Sequence, residues 1–70
     1  MENYLTIFVN GEPFNCECSM SLLHILLYLN FNISSVIVEY NDCILDKTEL
    51  DSIYLKNYDH IEVITVVGGG

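Results

Sequence analysis

The chain contains no arginine, and only two lysines, Lys47 and Lys56, stand against ten aspartates and glutamates. The formal net charge is -8. This balance excludes nucleic-acid binding, because phosphate contacts are made by Arg and Lys. An anionic membrane surface is disfavoured for the same reason. A basic protein partner fits instead, since complementary charge speeds encounter. No apolar run approaches the roughly 20 residues that cross a bilayer. Met1-Glu2-Asn3 lacks the basic start of a secretory signal. The cysteines, Cys16, Cys18 and Cys43, are odd in number, whereas a small secreted domain stapled by disulfides usually carries an even set. A reducing compartment is expected. Alanine is absent and proline occurs once, while Asn, Ile and Tyr are common. That bias resembles low-GC coding. It leans towards a plastid stroma, with a bacterial cytoplasm as the other expectation.

What is present is small and apolar: 70 residues, 51% hydrophobic, with a mean hydropathy of +0.37. This bounds the chain to one domain with a small core, too apolar for a disordered segment. A cleft formed with a second domain is not expected.

Residues 3–9 are rich in β-branched and aromatic side chains and read as a strand. Alternation sets Leu5, Ile7 and Val9 on one face and Tyr4, Thr6 and Phe8 on the other. Asn10-Gly11 predicts a type I′ hairpin turn. Pro13 then marks the returning strand, which runs to about Cys18, as a sheet edge. Ser21 is placed to cap a helix whose Leu22, Ile25, Leu26 and Leu29 form a core-facing stripe, widened by Leu23 and Leu27. A loop with two apolar plugs, Phe31 and Ile33, leads to a strand over 36–40. Asn41-Asp42 is a turn and Cys43-Ile44-Leu45 a short strand. Residues 46–58 read as irregular, anchored by Leu50, Ile53 and Leu55, and His60 to Val67 is the last strand. The expected architecture is α+β: a mixed sheet with one main helix packed on one face. The first and last strands, the most apolar, are expected side by side at the centre and parallel.

The chain closes on Gly68-Gly69-Gly70. Three glycines at a chain end suit a carboxylate that must enter a narrow activating site, because glycine permits close backbone approach. With this order of elements, the chain resembles the β-grasp, ubiquitin-like sulfur carriers, and most closely the thiamine-biosynthesis (ThiS) family. The resemblance runs through Asn10-Gly11-Glu12, Ser21 before the leucine-rich helix, Asn41, Asp59, and Ile61 to Gly70. Two positions depart from the family pattern. Tyr58 stands where a glycine is common, and Asp46-Lys47 where Pro-Arg is common.

The resemblance implies a β-grasp domain over 1–67 and a flexible glycine tail over 68–70. It implies a carrier and co-substrate rather than an enzyme. An activating enzyme would use ATP to adenylate the Gly70 carboxylate. Sulfur supplied through a cysteine desulfurase would convert it to a thiocarboxylate, which donates sulfur to thiazole synthase. Gly68 and Gly69 would provide reach, and the chain itself would need no cofactor. The alternatives are a molybdopterin synthase small-subunit type of carrier, a ubiquitin-like protein modifier, or an interaction module with passive glycines. Apart from the tail, Tyr4, Phe8, Ile64 and Val66 fall on the sheet face opposite the helix and form a candidate partner-binding patch. No metal site is expected. The cysteines read as core packing, and the acidic residues, Asp46, Glu49 and Asp51 included, are scattered or solvated. His60 beside Asp59 reads as a solvated pair.

Overall fold

The computed structural model describes residues 4–17 and 19–66. The domain boundary expected at 67/68 and Cys18 lie outside the described residues. Five strands form one sheet: β1 (Tyr4–Val9), β2 (Glu12–Glu17), β3 (Val36–Tyr40), β4 (Cys43–Leu45) and β5 (His60–Thr65), in the order β2-β1-β5-β3-β4. The one α-helix among the described residues, α1 (Leu22–Tyr28), crosses one face. β1 and β5 are parallel neighbours, and β5 is the middle strand, as the apolar pattern predicts.

Two tight hairpins build the flanks. Asn10 and Gly11 take φ of 53° and 84°, the left-handed pair a type I′ turn requires. Asn41 and Asp42 do the same at 48° and 72°. Pro13 sits on the outermost strand, where its missing N–H breaks no ladder.

Helix α1 starts where Ser21 Oγ accepts from the His24 N–H at 3.2 Å. It stops because Asn30 turns left-handed, at φ 68°. The Asn30 and Phe31 N–H groups then bond back to the Leu27 and Leu26 carbonyls, both at 3.0 Å. This is a Schellman stop, which seats Phe31 against the core. Leu22, Ile25 and Leu26 are buried. Leu23 only partly joins them, and Leu27 is exposed, so the helix uses a narrower stripe than the sequence pattern suggests. A seven-residue helix covers only the strip of sheet beneath it.

Ile7, Leu22, Leu26, Leu50 and Ile61 are fully buried, each worth about 2–3 kcal/mol over exposure. Leu50 comes from a 3₁₀ turn over Lys47–Ser52, inside the stretch expected to be irregular. Asp46 opens that turn: its N–H donates to Glu49 Oε1 at 2.9 Å, and its own Oδ2 accepts from Thr48 at 2.7 Å. Asp46 and Glu49 thus hold a turn together rather than standing as loose charges. Cys16 packs in the core, but Cys43 is exposed on the edge strand, contrary to the core reading. Among the described residues, no group of three or more His, Cys, Asp or Glu side chains is placed to hold a metal. No helix among them is long and apolar enough to cross a membrane.

Asp59 is buried, only 7% exposed, and its partner is not His60. Its carboxylate accepts from Tyr40 Oη at 2.5 Å, from the Lys56 N–H at 2.7 Å and from Asn41 Nδ2 at 3.1 Å. Burial alone would raise this carboxyl. The hydrogen bonds from Tyr40, Lys56 and Asn41 overcome that and hold it below its ordinary 3.8. Burial, and then the carboxylate it donates to, push the Tyr40 phenol up to about 12. Tyr58, next door, has φ 69°. The position needs a left-handed backbone, which glycine adopts without the steric cost tyrosine bears.

A depressed folded pKa makes the Asp59 contribution complete above the unfolded value of 3.8, and the contribution is lost as pH falls through the lower folded value. Asp59→Ala, which orphans three donors, should cost about 3 kcal/mol at neutral pH by urea titration. The urea midpoint of Asp59→Asn should fall less steeply than wild type on acidification. Tyr58→Gly should raise stability by about 0.5 kcal/mol. Release of left-handed strain, roughly 1–2 kcal/mol, exceeds the backbone entropy glycine loses, roughly 0.5–1 kcal/mol. A lower melting temperature would refute this.

Candidate functional site

The candidate site is the end of β5, from which the glycines follow. β1 pairs with β5 only at Phe8↔His60 and Val9↔Ile61 before its turn begins. The Asn10 N–H still reaches the Ile61 carbonyl at 2.9 Å. Its side chain then takes over from the departed strand. Oδ1 accepts from the Val63 N–H at 2.7 Å and Nδ2 donates to the Val63 carbonyl at 3.3 Å. A carboxamide has one donor and one acceptor side, so it can replace a peptide group. The turn residue therefore lengthens the ladder beyond the turn.

On the other flank β3 accompanies β5 antiparallel from Ile61 to Thr65. The Val66 N–H then donates to the Ser35 carbonyl at 2.8 Å. Four residues follow Val66 in sequence, so Gly70 can lie no farther from it than about 14 Å. Gly68, Gly69 and Gly70 themselves lie outside the described residues.

Tyr4, Phe8, Ile64 and Val66 share the face away from α1, as alternation predicts, but they do not form one patch. With Phe8 beside His60, Ile64 lies four residues further along β5 and Tyr4 four residues back along β1. Eight residues of strand put Tyr4 and Ile64 roughly 26 Å apart. Tyr4 therefore belongs to the far end of the sheet. Phe8 is part-covered by His60, which stacks on it with ring centroids 4.9 Å apart and planes at 18°. The apolar surface beside the tail is Ile64 and Val66, 49% and 51% exposed, joined by Ile37 at 41%. Ile37 lies directly opposite Ile64 across the β3–β5 ladder. The sequence reading missed Ile37, though Val36 and Val38 facing inward would have turned it out. Ile44, on the edge strand, adds to the same face.

A mixed sheet ordered 2-1-5-3-4 and crossed by one helix defines a β-grasp, ubiquitin-like domain. The match to the ThiS family model runs over residues 7–70, and the chain belongs to that family. It is 52% identical over 66 residues to the uncharacterized protein ycf40 of Pyropia yezoensis, covering 94% of this chain and 93% of that one. It is 42% identical over 66 residues to ycf40 of Porphyra purpurea, with the same coverage. It is 35% identical over 66 residues to a thiazole synthase of Magnetococcus marinus, covering 94% of this chain but only 20% of that protein. The crystal structure of the thiamine biosynthesis protein ThiS from Geobacter metallireducens superposes with a TM-score of 0.78 at 26% identity, over 94% of this chain and all of the other. The ThiS family is one of sulfur carriers in thiamine biosynthesis, not of catalysts.

The Asn10 bridge can be tested directly. Asn10→Ala leaves the Val63 N–H and carbonyl without their partner and should cost about 2 kcal/mol. Hydrogen exchange at the Val63 amide should accelerate more than at Ile61. Equal acceleration at both would mean that Asn10 serves only the turn.

Proposed function

We propose that the chain carries sulfur for thiazole synthesis and that its working group is the carboxyl of Gly70. The carboxylate attacks the α-phosphorus of ATP in an activating enzyme, giving an acyl-adenylate and pyrophosphate. The terminal sulfur of a cysteine-derived persulfide, supplied through a desulfurase, attacks the acyl carbon, and AMP leaves. A thiol reduces the resulting acyl disulfide and frees the thiocarboxylate. That terminus delivers sulfide to thiazole synthase. ATP is the enzyme's substrate, and the chain contributes no catalytic side chain. It contributes a presented terminus and the surface beside it.

One observation carries this reading. The middle strand of a ThiS-family domain is held to Val66 and continues, within four residues, into Gly68-Gly69-Gly70. Tight anchorage followed by three side-chain-free residues suits insertion of a carboxylate into a narrow site. Ile64 and Val66, with Ile37, supply a docking surface next to the tail. Phe8 lies further back, and Tyr4 is too distant to share it.

The thiazole synthase of Magnetococcus marinus supports that enzyme as the acceptor. A segment like this chain makes up a fifth of that polypeptide. Joining a carrier to its acceptor raises their effective concentration, to the millimolar range for a short linker. The ycf40 relatives, a plastid set, support the plastid stroma as the location.

Intact-mass measurement after incubation with ATP, a sulfur source and a thiamine-pathway activating enzyme tests the proposal. The expected change is one oxygen replaced by sulfur, abolished by deletion of Gly69-Gly70. An adenylate that never takes up sulfur would overturn it in favour of conjugation to other proteins. No mass change with any such enzyme would leave the glycines passive.

A further inference from the structure

The sheet face away from α1 contains a pairing that works against the isolated fold. Glu39 on β3 and Glu62 on β5 are direct cross-strand partners. Val38 and Val63 beside them face the core, so both carboxylates point outward. Like charges opposed in an antiparallel ladder, with Cβ atoms about 5 Å apart, destabilise it. Lys47 and Lys56 both fall in the segment between β4 and β5, off the sheet. The next row towards the tail is Ile37 and Ile64. The row on the other side holds His60, stacked on Phe8. Asn41, Asp42, His60 and Glu62 line an open depression of about 330 Å³, so that Glu62 of the acidic pair forms part of its wall.

Reach bears on what a docked partner would cover. Glu62 is four residues, roughly 13 Å, from Val66, and Gly70 extends at most about 14 Å beyond it. A protein that encloses the Gly70 carboxyl while resting on Ile37 and Ile64 must lie over the adjoining acidic row. Carboxylates covered without a counter-charge oppose docking. A positively charged partner surface over this row would complement a chain of net charge -8.

We propose that an arginine of the adenylating partner lies across Glu39 and Glu62, its guanidinium in the depression beside His60. This rests on the carrier reading. Arginine fits better than lysine because its planar fork can bond two carboxylates at once and stack on a ring. The strain of the paired glutamates in the free carrier becomes a recognition element in the complex.

Glu39→Gln, Glu62→Gln and the double variant of the full chain are to be titrated against the thiamine-pathway adenylating enzyme at several salt concentrations. Each single change should weaken binding at least about tenfold. The double variant should flatten the salt dependence. The free double variant should melt no lower than wild type, because a repulsion has been removed. Unchanged affinity and salt slope would overturn the proposal, all the more clearly if Ile37→Ser or Ile64→Ser does weaken binding. A lower melting temperature would also overturn it, by giving the glutamates a role in the fold. Sulfur uptake by mass, read in parallel, separates the two levels. Normal uptake with indifferent glutamates defeats this inference alone. Glutamate-dependent binding without uptake defeats the carrier reading alone, and absence of both defeats both.

Discussion

The structure depends on satisfying the backbone of β5. A middle strand has no solvent to fall back on, so each N–H and carbonyl on both flanks needs a partner. β3 provides one flank in full register. The other is harder, because β1 must turn away at Asn10 while β5 continues. Asparagine side chains close the gap at both ends of the parallel junction. Asn57 Oδ1 accepts the Thr6 N–H at 2.8 Å before β5 begins, and the Asn10 carboxamide serves Val63 after β1 has ended. On the opposite side Asn41 Oδ1 accepts the His60 N–H at 2.9 Å. Asp59 gathers the preceding loop, the β3 end and its turn onto one carboxylate just before the strand starts. The last strand is thus aligned by polar contacts at its start and carried straight to the point where the glycines follow.

Much of this was legible in the residues, and what escaped has a common cause. Asn10-Gly11, Ser21 and the alternation in β1 are local signals. A type I′ turn, an N-cap and a two-residue period are set by neighbours in sequence. The central, parallel placement of β1 and β5 followed from their apolar content. Asp59 was misread because its partners lie up to 19 residues away and no local rule reports them. The left-handed backbone of Tyr58 was hidden because tyrosine gives no sign of it.

The candidate surface shows the same division. Alternation decides which face a side chain takes, and Tyr4, Phe8, Ile64 and Val66 do share one. It does not decide where along that face each lies, because that depends on register between strands far apart in sequence. The pairing of Phe8 with His60 separates Tyr4 from Ile64, and the pairing of β3 with β5 brings Ile37 beside Ile64 and Glu39 beside Glu62. A patch is a property of register, and register becomes visible only in the folded sheet.

Anchorage of β5 also bears on energetics. Each residue fixed in one backbone conformation costs about 1–2 kcal/mol, and glycine loses the most freedom. Fixing the three glycines in a channel would therefore cost roughly 3–6 kcal/mol. The glycines offer no side chain to offset that. The compensating contacts must come from the folded domain, within reach of Val66. An apolar row with an acidic row behind it can supply them in two ways, by burial and by charge. The strand cannot recede to add freedom, since its last described N–H is bound to Ser35. On the proposed function, a fixed point of attachment and an adjacent contact surface are thus two parts of one requirement: three residues without side chains would enter a site only if the domain behind them held on.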